Sequence, residues 1–325
     1  MPFVRTLLGD IDPEEMGVTY SHEHIVCRPP YWQEKGEDDL LLDDPVKSLE
    51  DVKRFVQAGG KTIVDATCHD YGRDVPAVAE IARQAGIHVI GTAGLNKGFL
   101  WSARRPGSDE TFAEWIERLT LEELTRFVAD EVEVGMEGTP YRAGQVKFGT
   151  GYNSISPLEE KVLRAVARAH HETGAPVHSH TEAGTMALEQ IELLKEEGVD
   201  LRHVSFGHMD RNPDTYYHLK IAETGAYLCF DGIGKVKYYP ESVRIACILE
   251  LVRHGHEQQI LVSGDTARKS YYRSYGNGLG LGYILEKWVP RFIEEAEKAG
   301  FDGKRLVHLF LVENPRRCFT FKKGA

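Results

Sequence analysis

The segment Gly17-Val18-Thr19-Tyr20-Ser21-His22-Glu23-His24 carries two imidazoles at positions i and i+2. On a β-strand such residues share a face, so His22 and His24 can grip one ion together. Glu23 then points the other way, into the wall or behind the ligands. Four more metal-compatible residues follow, each at the end of a predicted strand: Lys147, His180, His208 and Asp265. A divalent metal at the mouth of a β/α barrel activates water for hydrolysis. The set reads as the centre of a binuclear metallohydrolase.

Each candidate also has an ordinary structural role to weigh. Lys147 lies in Gln145-Val146-Lys147-Phe148-Gly149-Thr150. A buried lysine is costly unless its charge is paired or removed. Pairing with an acid would suffice. So would carboxylation by CO2, which creates an anionic carbamate with two oxygens able to bridge two metals. In Pro176-Val177-His178-Ser179-His180 both histidines share a face, and His180 is the expected ligand because it lies nearer the mouth. His208 closes Val204-Ser205-Phe206-Gly207-His208, and Asp210 just beyond it is expected to orient a histidine. Asp265 closes Ile260-Leu261-Val262-Ser263-Gly264-Asp265; its ordinary role is a helix N-cap. A carboxylate there can also bind a metal and accept a proton from a bridging hydroxide.

Positioning these groups requires regular alternation of elements. Short β-branched, apolar runs at 19–24, 62–66, 88–94, 145–148, 176–180, 203–208, 226–230 and 260–263 predict eight strands. Helical spacing of three and four predicts helices over 48–58, 75–85, 121–134, 158–173, 185–197, 213–223 and 241–254. Alternation implies parallel strands with helical crossovers, and eight units imply a closed (β/α)8 TIM barrel. A doubly wound open sheet is the rival, but no GxGxxG or P-loop stands where a nucleotide fold would place one. Residues 3–18 are expected to form a hairpin closing the barrel bottom. Residues 283–321 are expected to give the eighth helix and a C-terminal one. Stretches 32–44 and 104–111 read as long loops. The whole chain, 1–325, is expected to be a single hydrolase domain.

The 325 residues are 42% hydrophobic and 27% charged, with a formal net charge of −11. That balance fits a soluble globular protein and argues against nucleic-acid or acidic-membrane partners. It leaves room for an anionic small-molecule substrate, because a few cations can dominate one pocket. The five cysteines (Cys27, Cys68, Cys229, Cys247, Cys318) are dispersed, with no CxxC spacing. With an N-terminal stretch that lacks a signal peptide's apolar run, they point to reduced thiols in a cytoplasm.

The ordered pattern is HxH after strand one, lysine after strand four, histidines after strands five and six, and aspartate after strand eight. In this the chain resembles the phosphotriesterase family of the amidohydrolase superfamily over nearly its whole length. The resemblance implies a (β/α)8 barrel with two divalent metals, often zinc; Mn, Co and Fe suit the same ligands. It implies that His22, His24 and Asp265 hold the more buried ion and His180 and His208 the more exposed one. Carboxylated Lys147 and a hydroxide would bridge them, with Asp265 as general base. It also suggests a homodimer or higher homo-oligomer. Arg211 follows Asp210, and the strand-seven loop offers Lys235 and Lys237 rather than a histidine. That departure argues against a specialised phosphotriesterase.

The loops after strands seven and eight hold Lys237, Arg268 and Tyr271. Guanidinium, ammonium and phenol together suit a phosphate group. Lys269 and Arg273 read as solvated charges. The chain resembles the lactonase branch of the family, some members of which act on phosphorylated sugar lactones. Hydrolysis of a phosphorylated furanose lactone is therefore expected. The alternatives are an acyl-homoserine lactonase with phosphotriesterase side activity, favoured by Phe99, Leu100 and Trp101, and an amidohydrolase acting on amides.

Overall fold

The computed structural model describes residues 2–322. An antiparallel hairpin of β1 (Val4–Thr6) and β2 (Gly9–Ile11) comes first, as expected within 3–18. Nine parallel segments follow: β3 (Thr19–Glu23), β4 (Thr62–Asp65), β5 (His88–Ile90), β6 (Thr92–Gly94), β7 (Gln145–Thr150), β8 (Val177–Thr181), β9 (Val204–Phe206), β10 (Tyr227–Phe230) and β11 (Ile260–Val262). They pair in chain order, β3-β4-β5 and β6 through β11.

The expected third strand, 88–94, is split at Gly91 into β5, which pairs with β4, and β6, which pairs with β7. Gly91 sits where a Cβ would come within 2.8 Å of Leu7 and Met136 side chains. Its carbonyl accepts from Gly144 N at 2.8 Å, so chain continuity closes this seam. The other seam, between β11 and β3, is closed just past the strand ends. Asp265 N donates to His22 O (2.9 Å), and His22 N donates to Ser263 Oγ (3.0 Å). The eight staves thus form a complete (β/α)8 barrel, and the last seam is built from residues of the candidate metal set.

Helices wrap the staves at Pro45–Gln57, Val75–Ala85, Leu121–Glu133, Pro157–Thr173, Ala187–Glu196, Thr215–Ala222 and Glu241–Arg253. Their starts carry chemical signals: Asp44, Asp74 and Asp214 cap by side-chain acceptance, and Thr120 and Ser156 form capping boxes with Glu123 and Glu159. A further helix, Phe112–Arg118, was not apparent from spacing; the Thr111–Glu114 capping box begins it. The expected loop at 32–44 contains a short helix, Pro30–Glu34, and a turn, Asp38–Leu40. The 104–111 segment is a loop whose ends pair as an antiparallel bridge. The C-terminal region forms Val289–Lys298, Gly303–His308 and Asn314–Phe319. Two π-turns, Ile284–Trp288 and Leu309–Glu313, run into Pro290 and Pro315. A proline lacks the N–H that would continue the regular i→i−4 ladder there. No helix among the described residues is long and apolar enough to cross a membrane.

Candidate metal centre

A bulge shapes the first ligand pair. The β3–β4 register runs Tyr20↔Ile63 and then Glu23↔Asp65, so one extra residue is inserted before Glu23. A bulge re-aims the side chains that follow. His22 and His24 both face the barrel mouth, their ring centroids 5.6 Å apart. Glu23 points away, as expected. Its carboxylate accepts from Ser263 Oγ (2.7 Å), Gly264 N (2.6 Å) and Thr266 N (2.7 Å). It thereby holds the backbone on either side of Asp265.

All six expected ligands are buried and line one cavity of about 240 Å³ at the C-terminal ends of the strands. Donor atoms of His22, His24 and Asp265 lie within 4.8 Å of one another. Asp265 Oδ1 is 3.4 Å from His24 Nε2 and 3.7 Å from His22 Nε2. His180 and His208 form the other pair, with His180 Nδ1 2.9 Å from His208 Nε2. Lys147 lies in the same cavity wall, and its Nζ donates to Ala66 O at 3.0 Å. His208 and Asp265 adopt left-handed backbone, φ 63° and 42°. Such strain at non-glycine residues gathers at functional sites. Neither residue serves as a side-chain helix cap, which disposes of the ordinary role weighed for Asp265.

The tautomers follow from the outer partners. Asp231, fully buried, accepts from His22 Nδ1 (2.9 Å) with one oxygen and from His208 Nδ1 (2.8 Å) with the other. Both Nε2 lone pairs are therefore left to the cavity. Thr67 Oγ1 meets His24 Nδ1 at 2.8 Å and donates its own proton to Asp65. His24 Nε2 is likewise left bare. Burial lowers the His22 pKa to about 3 and the His208 pKa to about 4, despite the opposing pull of Asp231. Burial also holds His180 well below the ordinary range. Neutral imidazoles with bare nitrogens, one carboxylate and a buried lysine are a donor set that fits divalent metal.

Asp231 corrects one expectation. Asp210 is not the orienting carboxylate; it is paired with Arg244 Nε at 2.5 Å, on the far side of Gly232. Asp231 ends β10 in the same way that the ligands end their own strands, and that position was the signal available for it. Replacing Asp231 with Asn would leave one acceptor and turn an amide N–H toward one of the two imidazoles. Metal affinity is expected to fall by about 10–100-fold, measured by chelator competition, with the fold intact by circular dichroism.

Four further residues, Arg211, Lys235, Lys97 and Glu182, were not assigned to the site from the sequence. Arg211 Nη2 and Lys235 Nζ both donate to Asp265 Oδ2, at 2.7 and 2.5 Å. Burial alone would push the Asp265 pKa up, but Lys235 and the facing histidines hold it well below the usual carboxylate range. Lys97 Nζ reaches Glu182 Oε2 (2.5 Å) and His180 Nε2 (3.0 Å). Burial lowers the Lys97 pKa to about 8 against the attraction of Glu182. Glu182 Oε2 also lies 2.9 Å from His180 Nε2. A proton there frees Nδ1 as the ligand atom of His180.

The three expected phosphate-binding residues, Lys237, Arg268 and Tyr271, line the same cavity. Lys237 Nζ lies 5.4 Å from the Tyr271 ring centroid, and Arg268 Nη1 is 3.2 Å from Asp39 Oδ2. Lys269 is not simply solvated: it pairs with Asp38 and Asp43. Trp32, Leu40, Tyr71 and Phe99 supply an apolar wall.

The model of the Phosphotriesterase family matches residues 2–319. A lactonase from Listeria monocytogenes of known structure is 65% identical, covering 99% of this chain and 100% of that one with a TM-score of 0.97. The phospho-furanose lactonase of Mycoplasmopsis synoviae is 35% identical over 98% of this chain and 92% of its own. The phosphotriesterase homology protein of Escherichia coli, solved with phosphate in its active site, is 32% identical, covering 95% of this chain and 100% of that one with a TM-score of 0.86. With the match running through every stave of the barrel, the chain belongs to the phosphotriesterase family.

Proposed function

We propose that this chain is a metal-dependent hydrolase that opens lactones, with phosphorylated furanose lactones as its substrates. One observation carries the reading. A cluster of neutral imidazoles, a carboxylate and a buried lysine shares a single cavity with the cationic corner of Lys237, Arg268 and Tyr271. The Listeria relative's name supports a lactone substrate, and the Mycoplasmopsis relative's name supports a phosphorylated furanose lactone. His22, His24 and Asp265 would hold one ion, and His180 and His208 a second, with Lys147 between them as its carbamate. Zinc suits this set, as do Mn, Co and Fe. When bound, the pair supplies Lewis acidity and lowers the pKa of the attacking water.

The residues of the chain do the rest. The cationic corner anchors the phosphate and fixes the ring in the cavity. Water oxygen adds to the lactone carbonyl carbon, and Asp265 takes its proton. Arg211 and Lys235 keep Asp265 ionised for that task. A carboxylate held so far down is a weak base, so the proton moves on rather than resting there. It passes to the ring oxygen as the carbon–oxygen ester bond breaks, giving a hydroxy acid. The barrel acts as one catalytic domain over 1–325. Its free, buried cysteines support a reducing, cytoplasmic setting. Oligomerisation as a dimer or higher assembly follows from the family resemblance.

The test is Arg268→Ala. KM for a phosphorylated lactone is expected to rise by about 10–100-fold, as for loss of a charge-assisted contact. KM for the unphosphorylated counterpart should stay within about twofold. Equal effects on both would remove Arg268 from phosphate recognition. The aromatic packing of Tyr31, Trp32 and Phe99 favours a second reading, in which neutral lactones with apolar chains bind. A preference for long-chain neutral lactones would select it.

A further inference from the structure

We propose that the Asn96 side-chain amide, with Lys97 and Glu182 beside it, reads the ring hydroxyls of a polyhydroxylated lactone. This rests on the lactone reading above and adds a recognition end to it. Asn96 and Lys97 follow β6, the third stave, and the cationic corner follows β10 and β11, the seventh and eighth. In a barrel whose staves pair in chain order, the third and seventh loops face each other across the axis. A ligand anchored by phosphate at one end therefore meets Asn96 at the other. The candidate metal cluster lines the same cavity.

Asn96 is about 5% exposed and lines the cavity. Its Oδ1 is buried without a hydrogen-bond partner among the described residues. Buried polar atoms are nearly always satisfied, and an orphaned acceptor works against folding. The fold does not need this amide to hold its loop. Asn96 N already donates to both oxygens of buried Asp70, at 2.9 Å each, and Trp101 Nε1 donates to Asp70 Oδ2 at 2.7 Å. Asp70 thus fixes the backbone and leaves the Asn96 amide oxygen uncommitted beside the cavity. Beside it, Lys97 reaches Glu182 at 2.5 Å and stacks 4.4 Å from the Phe99 ring centroid. A hydroxyl both donates and accepts, so it can answer an amide oxygen and a neighbouring ion pair together. A ring lacking that hydroxyl leaves the Asn96 acceptor unpaired, and sites of this kind reject such analogues strongly.

The experiment compares kcat/KM for a phosphorylated pentonolactone and its 2-deoxy and 3-deoxy counterparts. It uses metal-quantified enzyme, unmodified and carrying Asn96→Ala or Asn96→Leu. The unmodified enzyme should prefer the full lactone over at least one deoxy analogue by about tenfold or more. In both variants that preference should shrink to within about twofold. The loss should fall on the full lactone, with metal content unchanged. Equal losses on all three lactones, or an undiminished preference, would overturn the assignment. If the unmodified enzyme opens none of them, the lactone reading itself fails and takes this inference with it. That result is separate, because it appears before any substitution is made.

Discussion

Replacing Asp265 with Asn is expected to lower kcat by about 10²–10⁴-fold, the usual worth of a positioned proton acceptor. The choice of Asn matters. Asp265 sits at φ 42°, a conformation that Asn tolerates and most other residues do not. An alanine there would mix backbone strain with lost chemistry. Asn keeps the size and the Oδ1 position facing His22 and His24, but it cannot take a proton. It also removes the anion that Arg211 and Lys235 both contact. Metal content is measured alongside kcat, because Asp265 faces the ligand cluster. A loss below about tenfold in protein that retains its metal would remove Asp265 from proton transfer.

The second large effect is expected at Lys147, where stability and activity should move in opposite directions. The side chain is about 1% exposed. The partner of its ammonium is a neutral carbonyl, Ala66 O, rather than a carboxylate. A buried cation so poorly matched works against folding. Lys147→Met has similar length and no charge, so the metal-free variant should be more stable by about 1–3 kcal/mol. Activity should fall by roughly 10³-fold or more, the equivalent of several kcal/mol of metal assistance. Thermal unfolding of metal-free protein and turnover of reconstituted protein check the two halves. Loss of stability without loss of turnover would make Lys147 a structural residue. Intact-mass measurement of the native protein should also show one added CO2 per chain, released on acidification.

The candidate ligand cluster was legible because a strand end fixes direction. HxH spacing puts two imidazoles on one face, and every later ligand closes a predicted strand. The same rule pointed equally to Asp231, but an aspartate after a strand is common and nothing in its neighbours marked it. Only the fold brings it between His22 and His208, residues 209 and 23 positions away. Asp210 was the nearer choice in sequence, yet the turn after β9 aims it at Arg244 instead. Among the cations, Lys237 stood out beside Arg268 and Tyr271, whereas Lys235 and Arg211 are the ones that touch Asp265. Which of two lysines two residues apart turns inward depends on loop packing, which periodicity does not encode. The same limit applies to the third stave: the run 88–94 reads as one strand, and it splits at Gly91, where Leu7 and Met136 leave no room for a side chain. Helix Phe112–Arg118 is short, and its capping box lies where the sequence reads as the tail of a loop.

The most direct measurement is hydrolysis of paired furanose lactones, with and without a 5-phosphate, on protein whose metal content is known. A binuclear lactone hydrolase with a phosphate corner gives about two metals per chain, turnover lost on metal removal and restored on re-addition, and strong preference for the phosphorylated lactone. Full metal occupancy with no turnover of either lactone would contradict the proposed function.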